Sequence, residues 1–138
     1  MTRVAFTSLT QFVLSLFTVV FLGAGLAHAA PGAPLNVTAT DGTSLSEVTV
    51  TWNNPVGATS SFIYITDDSI APGCSATASK YDVNLNTTFH NTSASPGKSY
   101  YYSLKSVDLF GFYGPCSSNN RGYKALPQVS GMQANDLN

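Results

Sequence analysis

Three consecutive tyrosines, Tyr100-Tyr101-Tyr102, follow the turn Ser95-Pro96-Gly97-Lys98-Ser99 and lead into Ser103-Leu104-Lys105-Ser106-Val107. No other stretch constrains the chain as much. On an extended backbone Tyr100, Tyr102, Leu104 and Ser106 share one side, and Tyr101, Ser103 and Lys105 share the other. A period of two predicts a strand with one buried face and rules out a helix. Tyr100 follows the Pro-Gly turn at the spacing where a phenol buries its ring and returns its hydroxyl to nearby backbone.

The remaining segments supply partners of the same kind. Leu35, Val37 and Ala39 alternate with Asn36, Thr38 and Thr40, and Asp41-Gly42-Thr43-Ser44 reads as a turn. Glu47 to Trp52 alternates more sharply, with Val48, Val50 and Trp52 on one face, and Pro55 closes it. Ser61 to Thr66 predicts a third strand with large groups on both faces, so alternation does not decide its inner side. Asp67 to Ser79 is polar and reads as a loop. Lys80 to Leu85, Asn86 to His90 and Ser118 to Leu126 are the other strand candidates, and Asp108 to Pro115 is a Gly-rich aromatic loop. About seven short strands with turns between them predict an all-β, two-sheet antiparallel sandwich. Its expected core is Val48, Val50, Trp52, Tyr100, Tyr102 and Leu104, with Phe89 beside them.

Export is written at the N-terminus. Arg3 is the sole charge before Asp41, and Phe12 to Leu22 opens an apolar run of about 15 residues ending at Ala27-His28-Ala29. The pattern predicts a signal peptide over 1–29, a Pro-Gly-Ala-Pro lead-in over 30–34, a domain over 35–126 and a tail over 127–138. On this reading His28 leaves with the signal and the product is secreted or periplasmic, meeting membrane only during export. An uncleaved anchor is the alternative. The tail resembles the first strand: Gly131 to Asp136 follows Pro127 much as Asn36 to Asp41 follows Pro34, about 95 residues apart, as in a repeat array. Either a second repeat begins at Val129 or the tail is polar and unrelated.

Composition excludes several functions. Of the 138 residues 43% are hydrophobic and 9% charged, and the net charge is −1. Nothing in that balance attracts nucleic acid. Seven carboxylates and two histidines are a thin stock for acid–base or metal chemistry, and no nucleophile–base pair is readable from spacing. The expectation is no enzyme, no cofactor and no metal. Asp67-Asp68 lacks a spaced third carboxylate for calcium. Arg121-Gly122-Tyr123 lacks the aspartate of an adhesion tripeptide.

Three features together carry a family likeness. Val48-x-Val50-x-Trp52 with Pro55, and Pro96-Gly97-x-x-Tyr100-x-Tyr102, resemble the tryptophan strand and the tyrosine corner of fibronectin type III domains, and the turns Asp41-Gly42-Thr43, Gly57-Ala58-Thr59 and Thr92-Ser93-Ala94 are the third. The likeness spans about Ala33 to Leu126 and is similar to repeats appended to secreted bacterial proteins. It implies a seven-stranded immunoglobulin-like sandwich acting as a non-catalytic binding or spacer module, and it brings no catalytic residues. Phe110, Phe112 and Tyr113 fall in the loop that several family members use for ligand contact. They are the candidate site for a protein or polysaccharide, unless the rings only close the core. Cys74 and Cys116 make an even count in an exported chain, which favours a disulfide. Family geometry, however, places the two connections at opposite ends of the sandwich, leaving free or intermolecular thiols as the alternative.

Overall fold

A computed structural model describes residues 28–70 and 72–128. The expected signal, ending at residue 29, and the expected second repeat lie almost wholly outside them. No helix among the described residues is long and apolar enough to cross a membrane.

Strands follow in the order β1 (Leu35–Ala39), β2 (Val48–Asn53), β3 (Ser60–Asp67), β4 (Ser79–Asn84), β5 (Thr88–Asn91), β6 (Tyr100–Val107) and β7 (Asn120–Gly122). They form two antiparallel sheets, β1-β2-β5 and β4-β3-β6-β7. The tyrosine strand β6 is central in the larger sheet because both its edges are paired. Ser60 to Asp67 runs against Val107 to Tyr100 on one side, and Tyr100 to Tyr102 meets Gly122 to Asn120 on the other.

Register settles what alternation left open in β3. Ile63 lies opposite Leu104 and Ile65 opposite Tyr102, so these side chains share the inner face with Ser61. Phe62, Tyr64 and Thr66 therefore share the outer face. The core joins Val48, Val50 and Trp52 of one sheet to Ile63, Tyr102 and Leu104 of the other, each at most 2% exposed. Tyr100 and Phe89 are only partly buried and pack against this cluster from its margin.

Several expected boundaries shift. The last strand is three residues, Asn120–Gly122, not Ser118 to Leu126. Its continuation instead joins the other sheet, where Tyr123 bridges Asp41 and exchanges backbone hydrogen bonds with Thr40 and Gly42. That contact closes the β1/β7 side of the sandwich. Leu35 does not share the buried face with Val37 and is 62% exposed. The register slips between Leu35 and Thr38, and Asn36 takes φ 53°, the left-handed conformation asparagine tolerates.

Candidate functional site

One end of the sandwich gathers three connections: β2–β3 (54–59), β4–β5 (85–87) and β6–β7 (108–119). Asn54 ties the first two together. Its Oδ1 accepts from Trp52 Nε1 at 3.0 Å and from Ser61 Oγ at 2.9 Å, while Nδ2 donates to the carbonyls of Leu85 and Asn86 at 3.0 and 3.3 Å. The first connection reaches the end of β6, just ahead of the third, where Thr59 N donates to Val107 O at 2.8 Å.

Asp108 builds the aromatic loop. Its Oδ1 accepts from the Phe110 and Phe112 amides at 2.8 and 2.9 Å, an aspartate capping its own turn. The backbone closes the same turn, Gly111 N donating to Asp108 O and Asp108 N to Phe112 O, each at 3.1 Å. Gly111 adopts φ 85°, which a side chain would strain. The other carboxylate oxygen accepts from His28 Nε2 at 2.5 Å. Burial works against the charge on Asp108, but the Phe112, His28 and Phe110 donors outweigh it and hold the carboxyl below its ordinary range.

This scaffold turns the rings outward. Phe110, Phe112 and Tyr113 are 68%, 54% and 49% exposed, so none of them lids the core. Phe110 and Phe112 flank the His28 ring at centroid distances of 4.5 and 5.7 Å, with interplanar angles of 73° and 39°. Angles so different mean that the two phenyl planes are not parallel. Tyr113 leans instead toward the outer sheet face, 5.8 Å from Phe62, with Lys80 Nζ 3.9 Å from the Phe62 centroid. Leu109, Val56 and Leu85 are exposed at the same end. The loop stretches 54–59, 85–87 and 109–115 contain no charged residue.

Asp108, Asn54 and His28 were not among the sequence candidates. An aspartate two residues before Phe110 in a glycine turn is a readable capping signal. The reach of Asn54 to Leu85 is not, because it depends on how two sheets stack. His90, at the end of a strand candidate, sits 2.8 Å from Glu47 Oε1 beside the β2–β5 pair. Asp67, weighed for calcium, is engaged by Lys98 Nζ at 2.6 Å and by Ser69. Lys98 foremost, then Ser69, holds its carboxyl well below the usual carboxylate range. Among the described residues no three of His, Cys, Asp and Glu are gathered as for a metal.

Cys74 and Cys116 are bonded, with Cα atoms 5.9 Å apart. The expected obstacle, connections at opposite ends, disappears for two reasons. After its turn the chain runs back along β6, Gly114 N donating to Ser106 O and Ser117 N to Leu104 O, which brings Cys116 toward mid-sheet. The long 68–78 connection meanwhile folds back from the far end of β3. The resulting strap lies over the outer face, where Tyr64, Thr66 and Ser103 are at most 8% exposed. Thr66 Oγ1 and Ser103 Oγ are buried there with no hydrogen-bond partner.

The backbone path of this sandwich is similar to that of solved structures. A Fn3-like protein from Clostridium thermocellum superposes with TM-score 0.58 at 22% identity, over 73% of this chain and 100% of that one. The fn3 domain of human contactin 1 gives 0.59 at 20%, over 79% and 98%. This is the fibronectin type III fold. The FN5 domain of Drosophila Lar agrees, at TM-score 0.54 and 21% identity over 70% of this chain and 99% of that one. No family model matches the sequence, and no curated protein does. The likeness therefore resides in the backbone path of a fibronectin type III sandwich, which many side-chain sets satisfy. The tyrosine corner is present in it: Ser95 N donates to Tyr100 Oη at 3.1 Å.

Proposed function

We propose that the chain is a non-catalytic extracellular docking module that presents Phe110, Phe112 and Tyr113 to a protein partner. The observation carrying this reading is that these rings are exposed while their backbone is pinned by Asp108. Exposed aromatics on a preorganised loop lose little conformational freedom on binding and bury large areas, the combination found at interface hot spots. The Cys74–Cys116 bond fits an oxidising compartment. Among the polysaccharide and protein ligands that the aromatic loop suggests, ring geometry favours protein. A flat glycan surface asks for coplanar rings, and Phe110 and Phe112 are inclined to each other.

The test is the hydrodynamic size of the secreted chain from its native host, beside a Phe110→Ala/Phe112→Ala/Tyr113→Ala variant. The wild type is expected to elute in a complex larger than its own 14.5 kDa or less, and the variant to elute alone but folded. A wild type eluting alone would leave a spacer without a docking role.

A further inference from the structure

The chain enters the sandwich at the ring end, and its entry is anchored. Pro31 and Pro34 are buried. Gly114 lies against the lead-in so closely that an added Cβ would overlap the Pro31 and Gly32 carbonyl oxygens. Ahead of these contacts His28 is seated on Asp108 and between Phe110 and Phe112. Whatever precedes His28 is delivered to the exposed rings.

What precedes it is the most apolar stretch of the sequence. Phe12 to Leu22 carries no charge, and Arg3 is the sole charged residue ahead of Asp41. The span from Leu22 to His28 reaches at most about 20 Å when fully extended. A bilayer holding that stretch is therefore within about one such length of the rings, and the tether keeps their local concentration at its surface high.

We infer that the ring end is the membrane-facing end of the chain whenever the N-terminal segment is inserted. Phe110, Phe112 and Leu109 then rest in the interfacial zone of the bilayer. That zone favours aromatic and apolar side chains and rejects charge, and the three loops offer the first without the second. Of the two carboxylates near these loops, Asp108 is covered by His28, with 4% of its side chain exposed, and Asp82 stands back on β4, where Ser60 Oγ and Asn84 N donate to it. Among the described residues Lys80, 5.3 Å from the Tyr113 ring, stands without a basic cluster around it, so a zwitterionic surface suffices and anionic lipid is not required. The placement would hold even for a chain that docks no soluble protein.

A tryptophan reporter tests it in the full 138-residue chain, signal segment included, reconstituted in phosphatidylcholine vesicles with brominated acyl chains. Phe110→Trp reports the ring end. Leu45→Trp, also exposed but in the β1–β2 turn at the opposite end, is the control. Trp52 is buried in both and contributes a common background. The expected result is a blue-shifted Phe110→Trp emission that brominated lipid quenches strongly, with Leu45→Trp red and unquenched. Equal quenching of the two positions overturns the placement. So does a blue shift without quenching, which would mean that protein, from a second copy or the chain's own segment, covers the rings.

Discussion

Asn91 Nδ2 donates to Tyr102 Oη at 2.9 Å, a hydrogen bond buried between the two sheets. Asn91 ends β5 in one sheet and Tyr102 is central in β6 of the other, so a single polar contact crosses the core. Ser93 Oγ donates in turn to Asn91 Oδ1 at 2.9 Å. Both the nitrogen and the oxygen of the amide are thus engaged, and Asn91, the first residue of the glycosylation triplet Asn91-Thr-Ser93, is buried and serves the interior in the folded chain.

Tyr102→Phe leaves the Asn91 donor buried and unpaired. The expected loss is about 1–3 kcal/mol, read from the urea midpoint at unchanged slope. Asn91→Ala should cost a similar amount, and the double variant less than the sum, because each single change already breaks the shared bond. Strict additivity would show that the contact carries no energy.

Alkali should unfold the protein through the same phenol. Burial, only partly offset by the Asn91 hydrogen bond, pushes Tyr102 up to about 12 from its ordinary 10.0. The folded chain keeps a proton that the unfolded chain releases, so stability is intact below about pH 10 and falls by about 2–3 kcal/mol toward pH 12. Tyr100 shifts the other way: burial raises it, but the Ser95 hydrogen bonds prevail and lower it. Denaturant titrations across this window should show the fall in the wild type and much less of it in Tyr102→Phe.

Removing the disulfide should loosen the strap before it harms the core. With the cysteines 42 residues apart, chain entropy assigns the bond roughly 4 kcal/mol. In Cys74→Ser/Cys116→Ser, Tyr64 on the outer face should become reactive to a tyrosine nitrating agent, while amide exchange at Leu104 remains slow. Tyr64 staying unreactive would mean that packing alone holds the strap.

Thr66→Val should be neutral or stabilising. The Thr66 hydroxyl is buried without a partner, so exchanging it for a methyl of similar shape removes a desolvated polar group at little cost in packing. The expected gain is up to about 1 kcal/mol in thermal or urea unfolding. A loss of that size would reveal a hydrogen bond, to ordered water or to the strap, that Thr66 makes in solution.

Much of the architecture was written in local pattern. The period of two in Val48-Val50-Trp52 and in Tyr100-Tyr102-Leu104 specifies two buried strand faces, because one-sided burial rewards only that spacing. Pro96-Gly97 sets the turn from which Tyr100 reaches Ser95, a contact made within a few residues. Phe62, Ile63, Tyr64 and Ile65 defeated the same logic: both faces of β3 are covered, one by the core and the other by the strap. Pairing opposite Leu104 and Tyr102 was needed to choose.

Sequence alone determined that the chain is a β sandwich with an indole and phenols in its core, and that its rings at 110–113 lie in a connection. Each of those features depends on neighbours along one strand or turn. Tertiary structure decided that Cys74 reaches Cys116, that Asn54 joins two loops, and that His28 meets Asp108 beside the exposed rings. These depend on the stacking of two sheets and on a strap folding back, which bring together residues whose separation in sequence carries no local periodic signal.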